Sequence, residues 1–128
     1  SMSRAIADTS VFIAQEAGRT LGELPDEIAV SVITAAELEL GVLRADDDIT
    51  RARRLATLSR VRETYSLLSI DGRIASQFAR IATEELKARR KLRRHDAWIA
   101  ATALHHGAAV VTQDTDFSRI AAVTVLRV

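Results

Sequence analysis

Ala97-Trp98-Ile99-Ala100-Ala101-Thr102-Ala103-Leu104-His105-His106-Gly107-Ala108-Ala109-Val110-Val111-Thr112-Gln113 is the longest stretch of the chain without a formal charge. Its reading decides the fold. A membrane span needs about 20 consecutive apolar residues, and His105, His106 and Gly107 interrupt this run. It divides instead into a helix from Ala97 to His106, a stop at Gly107, and a strand from Ala108 to Val111. Ala100, Ala101 and Ala103 allow close approach, so the helix is expected to lie buried against a sheet. A helix feeding a strand through one turn is the unit of an α/β domain.

The rest of the chain continues the alternation. Upstream, Ala5 to Asp8 reads as a first strand and Val11 to Ala17 as a helix. Gly18, Gly22 and Pro25 break that pattern, and Ile28 to Val32 is β-branched and apolar, a second strand. Thr34-Ala35-Ala36-Glu37 has capping-box spacing and opens a helix toward Leu43. After the polar corner Asp46-Asp47-Asp48, apolar residues recur at helical spacing from Ile49 to Val61. Tyr65 to Ile70 reads as a third strand. Asp71 caps a helix whose inner face carries Ile74, Phe78, Ile81, Ala82 and Leu86. Asp96 opens the uncharged helix, Asp114 to Ile120 forms a helical turn, and Val123 to Val128 is the last strand. Hairpin turns between neighbouring strands are missing. The order favours an α/β fold with a mainly parallel sheet of about five strands and helices on both faces.

At 128 residues the chain has the length of one domain, expected to span residues 3–128. Hydrophobic residues at 48% and charged residues at 27% give an ordinary globular balance. Five glycines and one proline are too few for an all-β design. With no cysteine, disulfides, thiolate zinc, iron–sulfur clusters and cysteine nucleophiles are excluded. Ser1 precedes Met2 as an expected cloning remnant, and no apolar signal segment follows. No membrane association and a cytoplasmic location are expected.

Net charge is +1, so the global balance names no partner. Locally, Lys87, Arg89, Arg90, Lys91, Arg93 and Arg94 place six cations within eight residues, leaving −5 for the remainder. Such a strip attracts a polyanion without making the whole chain basic. Arg89, Arg90, Arg93 and Arg94 are the candidates for bidentate phosphate contact with such a polyanion.

Acids stand where apolar segments end: Asp8, Glu37, Asp96, Asp114 and Asp116. Each alone has a plain structural reading as a cap or a capping-box member. Together they are expected on one rim of the sheet, where ligands of such folds bind. Carboxylates so gathered repel one another unless cations sit among them. Oxygen donors without cysteine or paired histidine favour Mg²⁺ or Mn²⁺ over Zn²⁺. Such a site suits phosphodiester hydrolysis.

At these residues the chain resembles the PIN-domain ribonucleases and, within them, the VapC toxins of toxin–antitoxin pairs. The resemblance is carried by Asp8-Thr9-Ser10-Val11-Phe12-Ile13, by Ile33-Thr34-Ala35-Ala36-Glu37-Leu38-Glu39-Leu40-Gly41-Val42, by Asp96-Ala97-Trp98-Ile99-Ala100-Ala101-Thr102-Ala103 and by Val110-Val111-Thr112-Gln113-Asp114-Thr115-Asp116-Phe117. These arrive in the family's order and cover the chain nearly end to end. The resemblance implies a PIN-like α/β/α sandwich and a Mg²⁺-dependent endoribonuclease, with Mn²⁺ as a substitute. It implies metal ligation by Asp8 and Asp96, with Glu37 and Asp114 completing a quartet and Asp116 as an extra acid. Whether Asp114 or Asp116 faces the metal is left open. Thr112 matches a hydroxyl position that orients the site, and Thr9 and Ser10 either do similar work or cap the first helix. It further implies a homodimer silenced by a VapB antitoxin, seated largely on the helical pair from Thr34 to Arg62.

His95, beside Asp96, reads equally as an RNA contact or a solvated helix-start residue. His105 and His106 suit a helix C-terminus, and Trp98, Phe12 and Phe117 read as packing residues. Two other functions compete. One is a catalytically silent subunit that acts with its antitoxin on operator DNA. The other is a phospho-receiver, which usually needs a lysine after a late strand; the only lysines, Lys87 and Lys91, lie in the basic strip.

Overall fold

The structure is a computed structural model that describes residues 4–90, 93–115, 117, 120 and 122–128. Its elements run β1 (Arg4–Ala7), α1 (Thr9–Glu16), β2 (Glu27–Ser31), α2 (Val32–Leu43), α3 (Asp48–Thr64), β3 (Leu67–Leu68), α4 (Gly72–Lys87), α5 (Arg94–His105), β4 (Ala109–Thr112) and β5 (Val125–Arg127). The strands form one sheet in the order β3-β2-β1-β4-β5, and every pairing is parallel. The alternation of strand and helix in the sequence is thus realised as a PIN-like α/β/α sandwich.

The period-2 pleat of β1 divides the core. Ile6 points to one face, where it packs with α4 and α5 through Ile74, Ile81, Ile99 and Ala103. Ala7 points to the other and packs with α1, α2 and α3 through Phe12, Leu38, Leu58 and Val61. The uncharged stretch of α5 is buried through its middle, with Ala97, Ile99, Ala100, Ala101 and Ala103 all inaccessible to solvent. Its alanines let it seat against β1 and β4. Gly107 then takes a positive φ of 61°, which glycine adopts without Cβ strain.

Boundaries differ from the sequence expectations for local reasons. Thr34 does not open α2. Ser31, at the end of β2, has extended backbone and its Oγ accepts from the Ile33 amide at 3.0 Å, so the helix starts at Val32. Asp96 does not open α5 either: the helix begins at Arg94, with Arg93 in the N-cap position and no side-chain cap bond. Asp71 does cap α4, accepting from the Ile74 amide at 3.0 Å. The third strand is only Leu67–Leu68, because Tyr65 still closes the end of α3 through its amide and the Val61 carbonyl. A two-residue strand at the sheet edge offers little to an intruding strand. The last strand shortens to Val125–Arg127, and the helical turn expected from Asp114 to Ile120 lies partly outside the described residues.

Candidate active site

The strand order places a topological switch between β1 and β4: the chain leaves β1 toward β2 on one side and later returns to β4 on the other. Doubly wound sheets open a crevice there, beyond the carboxyl ends of the strands. Asp8 follows β1 directly, and its amide donates to the Val111 carbonyl at 2.8 Å, so the sheet holds it in place.

The Asp8 carboxylate is buried and heavily tied. Ser10 Oγ donates to Oδ2 at 2.7 Å and Thr112 Oγ1 donates to the same oxygen at 3.0 Å. The Ser10 amide reaches it at 3.4 Å, which makes Asp8 the N-cap of α1. Each hydroxyl also accepts a backbone bond: Ser10 Oγ from the Gln113 amide at 3.0 Å, and Thr112 Oγ1 from the Asp114 amide at 2.9 Å. Both hydroxyls therefore lock the β4 exit to the start of α1. Among the described residues all of Asp8's hydrogen bonds fall on Oδ2, so Oδ1 keeps its lone pairs.

Glu37 comes from α2. Its Oε1 accepts from Thr9 Oγ1 at 2.7 Å, and Thr34 Oγ1 lies 3.3 Å behind Thr9 Oγ1. Thr34 is fully buried. Its hydroxyl thus serves the Thr9–Glu37 contact instead of a helix start, a role the capping-box spacing concealed. Glu37 Oε2 lies 3.7 Å from His95 Nδ1. Burial, with Asp8 nearby, raises the Glu37 carboxyl above its ordinary range, against the lowering effects of the Thr9 hydrogen bond, His95 and Arg93.

Asp96 is the third residue of α5 and is half-buried. Among the described residues no donor reaches its carboxylate. Burial and the charges of Asp8, Asp114 and Glu37 push its pKa up to about 7, with Arg93 alone opposing them. Asp114, on the turn after β4, pairs through Oδ2 with Arg93 Nη1 at 3.0 Å. Asp96 thus feels the charge of Asp8, Asp114 and Glu37, and Glu37 feels that of Asp8, across four separate elements. Asp116 lies outside the described residues.

The donor set fits a hard dication in kind: carboxylate oxygens, one with free lone pairs and one without a hydrogen-bond partner. Among the described residues, however, no three Asp, Glu or His side chains are drawn together as a ready ligand set. The acids are neighbours across a crevice, and a guanidinium stands with them.

The basic strip is partly spoken for. Arg90 Nε folds back onto the buried Glu85 carboxylate at 2.6 Å, and Arg93 pairs with Asp114. Arg89 and Arg94 are exposed and have no ion-pair partner among the described residues, while Lys91 lies outside them. Trp98 stacks on Phe78 with ring centroids 3.9 Å apart and an interplanar angle of 8°, a packing contact between α5 and α4. Phe12 and Phe117 are buried core residues.

The PIN domain family model matches residues 5–123. The chain is 43% identical to ribonuclease VapC5 of Mycobacterium tuberculosis, over 96% of this chain and 94% of that protein. It is 39% identical to ribonuclease VapC4 of the same organism, over 100% of this chain and 99% of that protein. In structure it is similar to a member of the VapBC family of toxin–antitoxin systems, VapBC-5 of M. tuberculosis, with a TM-score of 0.88 and 40% identity, covering 98% of this chain and 99% of that one. The acids at the switch point, the parallel sheet and these likenesses agree, and the chain belongs to the PIN-domain family, in its VapC branch.

Proposed function

We propose that this protein is a metal-dependent endoribonuclease, the toxin of a toxin–antitoxin pair, that hydrolyses RNA phosphodiester bonds. One observation carries the reading. Carboxylates from the ends of β1 and β4 and from α2 and α5 share one electrostatic neighbourhood, and Asp96 among them is pushed to about 7. A structural carboxylate is placed where its charge is relieved; this one is placed among three other acids, where a bound cation would relieve it.

Asp8 and Asp96 are the residues that would hold Mg²⁺, or Mn²⁺ in its place, with Asp114 or Asp116 as the further acid. The ion when bound supplies charge for the phosphoryl oxygens and an acidified water. Asp8 is pre-aimed by Ser10 and Thr112, which fix its rotamer through Oδ2. Glu37, steadied by Thr9, is placed to orient the attacking water. Arg89, at the end of α4, and Arg94, at the start of α5, are exposed and without an ion-pair partner among the described residues, and are assigned to flanking phosphates.

The antitoxin, a VapB-type chain, is assigned to the groove beside the acids. There Thr9, Ile13, Glu37, Leu40, Arg44 and His95 line a cavity of about 330 Å³. Ile13 and Leu40 are exposed there, and Leu43 and Leu55 extend the apolar surface along α2 and α3. Homodimerisation and a cytoplasmic location belong to the same reading. Among the described residues no helix is long and apolar enough to cross a membrane.

The test is direct. The purified protein is expected to cut RNA with Mg²⁺ or Mn²⁺, and Asp96→Asn is expected to lose at least about a hundredfold of that rate, on the scale of removing one charge-stabilising group. Equal cleavage by the variant defeats the site assignment. If neither protein cuts RNA but both still bind operator DNA with the antitoxin, the silent-subunit reading holds instead.

A further inference from the structure

We propose that Arg93 is a built-in counter-cation of the acid cluster, which a divalent ion must displace to bind. This rests on the metal-dependent reading above and deepens it.

Three observations carry the assignment. Arg93 occupies the N-cap of α5 yet makes no cap bond through its side chain. Helix N-caps favour Ser, Thr, Asp or Asn, and a cation at a helix N-terminus opposes the macrodipole. Its identity is therefore not explained by the helix. The side chain instead reaches across the crevice, and Nη1 pairs with Asp114 Oδ2 at 3.0 Å. Finally, Arg93 stands on the same helix entry as Asp96, so the guanidinium held on Asp114 joins the acids of α5 and of the β4 exit.

Without a cation, gathered carboxylates repel. Arg93 supplies one positive charge from within the chain and makes the metal-free site tolerable. A dication sharing those acids meets that guanidinium as a like charge. Part of the ion's binding energy is then spent on moving it aside.

The contrary view is that Arg93 is a simple tie between α5 and the β4 exit. Both views predict some loss of stability on removing it, but only the counter-cation view predicts tighter metal binding. Mn²⁺ alone is titrated by calorimetry at low ionic strength and pH 8, where Asp96 is ionised, into the parent, Arg93→Gln, Arg93→Lys and Asp96→Asn. The expected result is an affinity about tenfold higher for Arg93→Gln, the scale of one partly screened charge at contact distance. Arg93→Lys, which keeps the charge, is expected within about twofold of the parent on the same ground. Asp96→Asn is expected to bind no Mn²⁺. In a second readout, the Arg93 side-chain ¹⁵Nε resonance is expected to shift when Mg²⁺ is added.

Equal or weaker binding by Arg93→Gln, with Asp96→Asn still silent, overturns the counter-cation and leaves the metal site standing. Absence of Mn²⁺ binding in parent and Arg93→Gln alike overturns both.

Discussion

At the scale of single residues, Asp96 and Asp8 are two carboxylates of one site in opposite circumstances. Asp8 has two hydroxyls and an amide on one oxygen; Asp96 has burial and three acidic neighbours. A carboxylate whose folded pKa is raised binds more protons in the native state than in the unfolded one between about 3.8 and about 7. Stability therefore falls as pH rises through that window, and the whole cost is present above it. Asp96→Asn removes the cost. The variant is expected to be more stable than the metal-free parent by about 1–2 kcal/mol at pH 8, after allowance for solvent reaching a half-exposed group, and the gain is expected to vanish near pH 4. Urea denaturation at the two values checks it. A variant no more stable at pH 8 than at pH 4, relative to parent, would show that Asp96 is not strained by its neighbours. If Asp96 holds the ion as proposed, divalent-ion binding is expected to release a proton below about pH 7.

At the scale of elements, helix ends explain what the chain disclosed and what it hid. The alternation of strands and helices was readable because β-branched runs and 3.6-residue spacing differ in period. The cap at Asp71 was readable because nothing competed for it. Thr34 and Glu37 matched a capping box, but Ser31 stood three residues earlier, at the true strand exit, and took the cap. That left Thr34 and Glu37 free to face Thr9, a contact between residues 25 and 28 positions apart that no local pattern encodes. The Arg93–Asp114 pair was hidden in the same way, since a basic strip reads as one solvated face. The end of α4 shows how that strip divides. Arg89 takes a φ of +56°, its amide bonds the Leu86 carbonyl, and the Arg90 amide bonds the Glu85 carbonyl, closing the helix in a Schellman motif. This turn carries Arg90 back onto Glu85. Arg90→Ala is expected to cost about 1–3 kcal/mol, since it strands a buried carboxylate, while Arg89→Gly is expected to gain up to about 1 kcal/mol by relieving the left-handed residue. Thermal unfolding of the two variants distinguishes them, and similar midpoints would mean that Arg90 stays in solvent.

At the scale of the whole molecule, the strand order decides where function can sit. The sheet order β3-β2-β1-β4-β5 makes β1 and β4 neighbours although about a hundred residues separate them, and both end on the same rim. The core supports this from both faces: Ile6 and Val110 face α4 and α5, while Ala7 faces α1 to α3. Asp8 and Thr112 are thereby held across a central, fully paired seam of the sheet, and Glu37 and Asp96 are delivered by helices packed on opposite faces. An ion held by acids from both faces would cross-link the layers, and a chain that loses its fold loses the ligand set with it. Binding then appears as stability: an ion at a hundred times its dissociation constant adds about 2.7 kcal/mol, which for a domain of this size raises the unfolding midpoint by roughly 10 °C. The parent protein is expected to show that rise with Mn²⁺ at pH 8 and a smaller one at pH 5.5, where Asp96 is protonated and must lose its proton first. Asp96→Asn is expected to show almost none. A midpoint that climbs equally in parent and variant would place the ion elsewhere on the surface, and the rim would then be a shared edge of acids without a shared cation.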